Sequence, residues 1–287
     1  MTVLGIHIGS THVCAGRVNE RGEVFSIRKD RAAGDPDALA STLHFIVAAG
    51  EPPDAIGVTR RGAENPPLED IPRLIEAALP CRIAVHTDEA TRAALLAETL
   101  WGAAQGRANV LLLHLDRTVG GAAMVNRALL RDLDAARMGH FTVEAGGPLC
   151  RCGARGCLEA LAATRAVEGE MMAALHRGCA SRVAFKPGKG GEPGWRAILE
   201  ASGADPLARA VVERAAQALA AGLAGLARRF APEIVLLSGA LACKRFLEFL
   251  PRQPGLPVAA AGVKDPSGVI AAAALAMRPA ARQAVTE

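Results

Sequence analysis

Three cysteines and one histidine share a single glycine-rich stretch, GHFTVEAGGPLCRCGARGC, and nothing else in the sequence limits the possible folds so sharply. His140 lies ten positions before a C-x-C-x4-C cluster formed by Cys150, Cys152 and Cys157. Zinc takes tetrahedral nitrogen and sulfur ligands, so an imidazole and three thiolates predict a closed, structural site with no open position for water. Gly146, Gly147, Gly153 and Gly156 let the backbone turn tightly enough to aim the sulfurs at one ion, and Arg151 and Arg155 soften the thiolate charge. A redox pair needs C-x-x-C spacing, which the cluster lacks. An odd total of seven cysteines also argues against the disulfide framework of a secreted domain. Cys14, Cys81, Cys179 and Cys243 lie far apart and read as buried small hydrophobes.

Around this segment the sequence alternates strand and helix patterns. VLGIHIGSTHVCAGRVNERGEVFSIRKD reads as three strands joined by turns, the second turn at Asn19 to Gly22. A helix is expected from DPDALASTLHFIVAAG, with Leu39, Leu43, Ile46 and Val47 on one face, then a strand from DAIGVTR. LEDIPRLIEAAL and RIAVHTDEA repeat the alternation, followed by an Ala-rich helix stopped by Gly. ANVLLLHLDRTVGGAAMVNRALL reads as strand, glycine turn, strand. The pattern of residues 3–18 thus recurs at 109–126, which suggests two related α/β halves facing one another across a cleft. CLEALAATRAVEGEMMAAL reads as one helix and KPGKGGEPG as a surface loop without the Ser or Thr of a phosphate-binding loop. Val212, Ala216, Leu219, Leu223, Leu226 and Phe230 trace one face of a long helix from Pro206 to Phe230. Strand EIVLLSGAL and a closing helix in DPSGVIAAAALAM complete the chain.

With 287 residues the chain has room for two lobes, set at 1–112, completed by a C-terminal helix 266–282, and at 113–265 with the Cys/His segment. Aromatic residues make up 3% with no Tyr, so the cores must be packed from Ala, Leu, Val and Ile, and Trp101 and Trp195 read as packing residues. A net charge of +4 with scattered Lys and Arg implies no nucleic-acid footprint. The N-terminus carries no positive n-region and no uncharged eighteen-residue apolar run follows, so a cytoplasmic protein outside the membrane is expected.

GH-x-TV followed by GPLCRCGARGCLE resembles the ROK family of sugar kinases and sugar-responsive repressors, which have the actin-like ATPase (ribonuclease H-like) fold. LGIHIGSTHVCAG is similar to the family's first phosphate turn, HTDEATRAALLAE to its Asn-Asp motif, and LLLHLDRTVGGAAMVNRALL to its second phosphate loop. The repressors' winged helix has no counterpart before Val3, so DNA binding is not expected. The resemblance implies a general-base role for Asp88, preceded by Thr87 where Asn is usual, although Asp88 reads equally as the N-cap of a helix over 90–100. It also implies sugar contacts from His140 and Glu159. Arg137 replaces a sugar-binding Glu, exchanging a hydroxyl acceptor for a donor-only cation.

The donor side departs further from the family pattern. His7, Ile8, Gly9, Ser10, Thr11 and His12 stand where active kinases read Asp-x-Gly-Gly-Thr-Lys, so a Mg²⁺ carboxylate and a phosphate lysine are missing. Asp116, Arg117 and Thr118 precede Gly120 and Gly121 where backbone N–H groups should meet phosphate, and Ser238-Gly239 stands for the adenosine glycines. Three readings follow. One is a sugar or cyclitol kinase using Mg-ATP weakly, with Asp88 as base. Another is a catalytically inactive relative that binds a carbohydrate and acts as a regulator. The third is a cleft turned to a sugar phosphate or other anion by Arg60, Arg61, Arg117 and Arg137, although the first two read more readily as solvated surface. A homodimer is expected by analogy with the family.

Overall fold

A computed structural model describes residues 1–9, 12–31, 42, 52–60, 69–78, 83–131, 137–183, 193–265 and 267–277. Ser10, Thr11, the helix expected at 35–50 (apart from Thr42), Arg61, Cys81, most of the KPGKGGEPG loop and positions 278–282 lie outside these residues. The chain forms two compact units, one of residues 1–106 and 262–287 and the other of residues 107–261.

The first unit holds strands β1 (Thr2–Ile8), β2 (His12–Asn19), β3 (Val24–Arg31), β4 (Ala55–Arg60) and β5 (Val85–Glu89) and helices α1 (Ile71–Ala78) and α2 (Ala90–Trp101). Its sheet runs β3-β2-β1-β4-β5, with the first three strands antiparallel and β1, β4 and β5 parallel. Alternation along β1 sorts the two faces. Leu4, Ile6 and Ile8 join Ile56, Val58, Ile71 and Ile75 on one side, whereas Val3 joins Val269 and Ala273 of the closing helix on the other.

That closing helix, called α8 here (Val269–Ala276), lies flush on the sheet because β1 and β4 carry glycine beneath it. A Cβ on Gly57 would collide with the Ala272 carbonyl, and one on Gly5 with that of Val269. Backbone on both sides leaves little room to relax, so Gly57→Ala should destabilise the protein by about 2–3 kcal/mol, as overpacked cores do. A thermal melt checks this; an unchanged midpoint would contradict the close approach.

The second unit contains β6 (Val110–Leu115), β7 (Val119–Val125), β8 (Ala128–Leu129), a 3-10 turn (Met138–His140), α3 (Leu158–Ala162), α4 (Thr164–His176), α5 (Trp195–Ala201), α6 (Pro206–Phe230), β9 (Ile234–Ser238), α7 (Lys244–Leu247) and β10 (Val258–Ala260). Its sheet order, β10-β9-β6-β7-β8, repeats that of the first unit with the same directions, so the recurrence seen in the sequence is one of topology. Asp205 caps α6 by accepting from Ala208 N at 2.8 Å, with Pro206 in the first turn. Among the described residues, α6 is long and apolar enough to cross a membrane, yet Val212, Ala216, Leu219, Leu223 and Leu226 are buried in the unit's core.

Two sequence expectations differ from what forms. Gly120 and Gly121 lie inside β7, not in the turn, which is made by residues 116–118. Gly121 is needed in the strand because a Cβ there would run into the Met138 side chain. The single helix expected after Cys157 breaks at Ala163, whose backbone is extended (φ −79, ψ 157). Thr164 N donates instead to the Asp116 carbonyl at 2.8 Å, so a tertiary hydrogen bond to the 116–118 turn displaces one helical bond.

Candidate active site and metal centre

In the first unit the strand register places His7, Thr59 and Asp88 in one cross-strand row, on β1, β4 and β5. His7 Nδ1 lies 2.9 Å from Thr59 Oγ1, and the ring packs beneath Gly268. The turn after β1 closes by Gly9 N donating to His12 O at 2.9 Å. Thr87 sits one step down β5, opposite Val58.

Asp88 is 5% exposed and is not a helix cap, for Glu89 holds the N-cap position of α2. Glu89 N donates to Asp88 Oδ1 at 2.7 Å, Arg92 Nε donates to the same oxygen at 2.6 Å, and Arg92 Nη2 closes an ion pair with it. Among the described residues all three bonds land on Oδ1 and none on Oδ2. Arg92, four residues along and one helical turn away, was not picked out from the sequence, although i,i+4 spacing was the available signal. Burial pushes the Glu89 carboxyl up, against the Arg60 and Arg92 guanidiniums.

In the second unit Asp116, Arg117, Thr118, Gly120, Ser238 and Gly239 gather at the end of the sheet where β6 and β9 finish and β7 begins. The Asp116 carboxylate accepts from Arg117 N at 2.9 Å, and Gly239, at φ +86, lies against the Leu115 carbonyl. Sequence reasoning missed His114, which joins two of these residues: Nδ1 lies 3.1 Å from Ser238 Oγ and Nε2 lies 3.9 Å from Asp116 Oδ2. His114 thus bonds Ser238 and lies close to the Asp116 carboxylate beside the turn.

Glu159 is 4% exposed, and both of its oxygens are engaged. Oε2 accepts from Val119 N at 3.1 Å, and Oε1 pairs with Arg165 at 2.5 Å. Gly139 packs against the Val119 carbonyl, so the same residue of β7 fixes Glu159 and the chain entering His140. Arg137 is exposed at the start of the 3-10 turn.

The Cys/His segment is folded by short contacts rather than by regular structure. Cys150 N donates to Ala154 O at 2.8 Å, Gly153 N donates to Cys150 O at 3.0 Å, and isolated bridges join Thr142 to Cys157 and Leu149 to Arg155. Helix α6 makes room for it: Gly222 faces Leu158 and Val143, and Gly225 faces the Phe141 ring. The ligand atoms of His140, Cys150, Cys152 and Cys157 all lie within 4.8 Å of one another.

Their spacing tests whether zinc fits. Four ligands at Zn–S of about 2.3 Å and Zn–N of about 2.0–2.1 Å span tetrahedron edges of about 3.8 Å between sulfurs and about 3.6 Å between nitrogen and sulfur. Cys152 Sγ lies 3.7 Å from Cys157 Sγ, and Cys150 Sγ lies 3.5 Å from His140 Nδ1. Burial pushes the Cys157 thiol up to about 12, and the neighbouring Cys152 and Cys150 sulfurs add to the rise. Sulfurs crowded in this way need a cation to be thiolates together. The donor set and these two edges fit one tetrahedral zinc ion.

Comparison with known proteins gives a consistent picture. The sequence profile described as the ROK family matches residues 3–278. A glucokinase of Thermotoga maritima is 28% identical over 261 residues, covering 84% of this chain and 82% of its own. The crystal structure of a ROK hexokinase from Thermus thermophilus superposes with a TM-score of 0.77 at 26% identity, over 96% of this chain and 98% of that one. A ROK family glucokinase from Streptomyces griseus, solved with glucose and AMPPNP, does so with a TM-score of 0.73 at 25% identity, over 96% and 99%.

Proposed function

The chain belongs to the ROK family, and on that footing we propose that it is a sugar-kinase scaffold whose acceptor half is kept and whose phosphoryl-donor half is weakened. The acceptor is a sugar or cyclitol hydroxyl. Asp88 takes its proton through Oδ2 as the oxygen attacks the γ-phosphorus of Mg-ATP and the bond to the bridging oxygen breaks to release ADP, while Arg92 holds Oδ1 in place. His140 and Glu159 frame the sugar, with Arg165 orienting the Glu159 carboxylate. His140 Nδ1 and the three Sγ atoms would hold a zinc ion, which would fold the segment that carries His140.

The observation that carries the reading is the row His7–Thr59–Asp88. One end keeps a buried, oriented carboxylate. The other presents an imidazole bonded to Thr59 where the family resemblance places the Mg²⁺-organising carboxylate. Phosphoryl transfer depends almost wholly on positioning and charge neutralisation, so losing one metal carboxylate lowers the rate without removing the acceptor site.

A coupled assay with a panel of hexoses, amino sugars and cyclitols tests this. Turnover should fall below the roughly 1–100 s⁻¹ of ordinary kinases, His7→Asp should raise it about tenfold or more, and Asp88→Asn should lower it about a hundredfold. Sugar binding with no turnover in either wild type or His7→Asp would favour the inactive, carbohydrate-sensing reading. Ordinary turnover insensitive to Asp88→Asn would sink the proposed chemistry.

A further inference from the structure

The turn of residues 116–118 joins β6 to β7 and closes by Asp116 N donating to Thr118 O at 3.0 Å, with Arg117 and Thr118 exposed at its tip. Its two ends are held by one short stretch of the second unit. At the entry the Asp116 carbonyl accepts from Thr164 N at 2.8 Å, and at the exit Val119 N donates to Glu159 Oε2 at 3.1 Å. Glu159 lies in α3 and Thr164 opens α4, with Ala163 extended between them. The stretch that grips the turn therefore also carries the carboxylate read above as a sugar contact.

The grip is buried. Thr164 is 1% exposed, Glu159 4% and Val119 5%. Arg165 Nη2 holds the other Glu159 oxygen at 2.5 Å, so the carboxylate cannot turn away from Val119 without breaking that ion pair. A carboxylate oxygen has two lone pairs, so a sugar hydroxyl can bond Glu159 without displacing Val119 N or Arg165.

The break at Ala163 makes the second tie possible. A continuous helix would turn the Thr164 N–H back onto the Ala160 carbonyl, four residues earlier. In the extended junction it is instead the first N–H of a helix, which has no partner within its own helix, and it reaches the Asp116 carbonyl. Two sites that order the same stretch of chain are coupled, because a ligand that stiffens it at one site lowers the entropy cost of binding at the other.

We infer that the α3–α4 junction is a positioning link: a sugar held on Glu159 stiffens the 116–118 turn through the Val119 N–H and the bond from Thr164 N to the Asp116 carbonyl, so that acceptor and phosphoryl donor bind more tightly together than apart. The inference rests on the kinase reading above and adds the residue through which the two halves of the site are joined. Thr164 takes part by its main chain, acting through the turn.

Thr164→Pro tests the link with little else disturbed. Proline suits the first position of a helix and favours an extended residue before it, which Ala163 already is (φ −79, ψ 157), but it has no N–H to give Asp116. Glucose, N-acetylmannosamine and myo-inositol serve as acceptor probes and Mg-AMPPNP as the donor probe, on the full chain purified without chelator, with calorimetry for binding and mass spectrometry for hydrogen exchange. In the wild type, an acceptor that binds should slow exchange of the Asp116 and Val119 amides about tenfold; it should tighten Mg-AMPPNP about tenfold, and Mg-AMPPNP should tighten it by the same factor. In Thr164→Pro the Asp116 amide should exchange about tenfold faster and no longer respond to the acceptor, whereas the Val119 amide, still on Glu159, should be slowed as before. General weakening would speed both. The mutual tightening should fall to within about twofold of none while the acceptor alone binds within about twofold of wild type, and Thr164→Ala, which keeps the N–H, should retain the tightening. A wild-type turn that exchanges at one rate with and without bound acceptor, or a proline variant that keeps the full tightening, would overturn the inference and leave the kinase reading standing; the first of these decides even if the proline variant folds poorly. Failure of Mg-AMPPNP to bind would count against the kinase reading, and exchange at the turn would then decide the inference by itself. Failure of every acceptor to bind would sink both.

Discussion

Cys157→Ala should purify with its zinc lost and melt on the order of 10 °C below the wild type, because one missing ligand opens a site on which residues 140–157 depend. The dependence follows from how little else folds that stretch. Two isolated bridges and a few turn hydrogen bonds hold it, and Gly146, Gly153 and Gly156 all adopt positive φ, so its own backbone preference does not select the observed path. Structural zinc contributes on the order of 10 kcal/mol in small metal-folded peptides, far more than these bonds. Leu158 and Phe141, which pack on Gly222 and Gly225, would loosen with the segment, carrying the damage into the core of the second unit. Elemental analysis beside calorimetric melting provides the check, with exposed Cys179→Ala as the control. Wild-type protein prepared without chelator yet holding less than about 0.2 zinc per chain would refute the metal assignment, as would a Cys157→Ala melt within about 2 °C of the wild type.

How much of this was legible before any coordinates depends on whether local pattern or tertiary contact decides. Helix α6 was readable to its ends, since Asp205-Pro206 starts it and the apolar positions keep one face over all 25 residues. The sheet of the first unit was readable in its strands because β1, β2 and β4 are short apolar runs between turn residues. The break at Ala163 was not, since nothing in LEALAATRAVEG opposes a continuous helix; the Asp116 carbonyl, 48 positions away, takes the Thr164 N–H. Nor was the placement of Gly120 and Gly121, which look like turn residues and serve to let Met138 approach β7.

The site divides along the same line. The Cys/His cluster was legible because metal ligation fixes residue type and spacing together, and the four ligand atoms are gathered as that spacing implies. The arginines that hold the carboxylates were not. Arg92 and Arg165 look like ordinary helix-surface residues, and only the fold shows that one grips Asp88 and the other Glu159. The tie between the 116–118 turn and the α3–α4 junction was out of reach for a further reason: the bond from Thr164 N to the Asp116 carbonyl is made by main-chain atoms, which leave no mark in residue type.

Glu98→Ala should cost roughly 3–5 kcal/mol, the second large effect, because it strips the acceptors from three main-chain donors at once. Glu98 is 2% exposed on α2; its Oε2 accepts from Ala103 N at 2.8 Å and Gly262 N at 3.0 Å, and its Oε1 from Val263 N at 2.7 Å. Its own carbonyl takes Gly102 N and Ala104 N, both at 3.1 Å, ending the helix there. One residue thus holds both the stretch by which the chain leaves the first unit and the stretch by which it returns. Gly102 is required beside it, since a Cβ would collide with the carboxylate. Glu98→Gln keeps one acceptor oxygen, enough for Ala103 and Gly262, but turns an amide N–H₂ toward Val263 N–H, so its loss should fall between wild type and alanine. Hydrogen exchange read by mass spectrometry separates this from general weakening: amides 103, 262 and 263 should lose protection first in the alanine variant and amide 263 alone in the glutamine one, ahead of those in β1 and β4. Equal loss across the sheet, or a glutamine variant as stable as the wild type, would mean that Glu98 fills space there and its hydrogen bonds carry little of the stability.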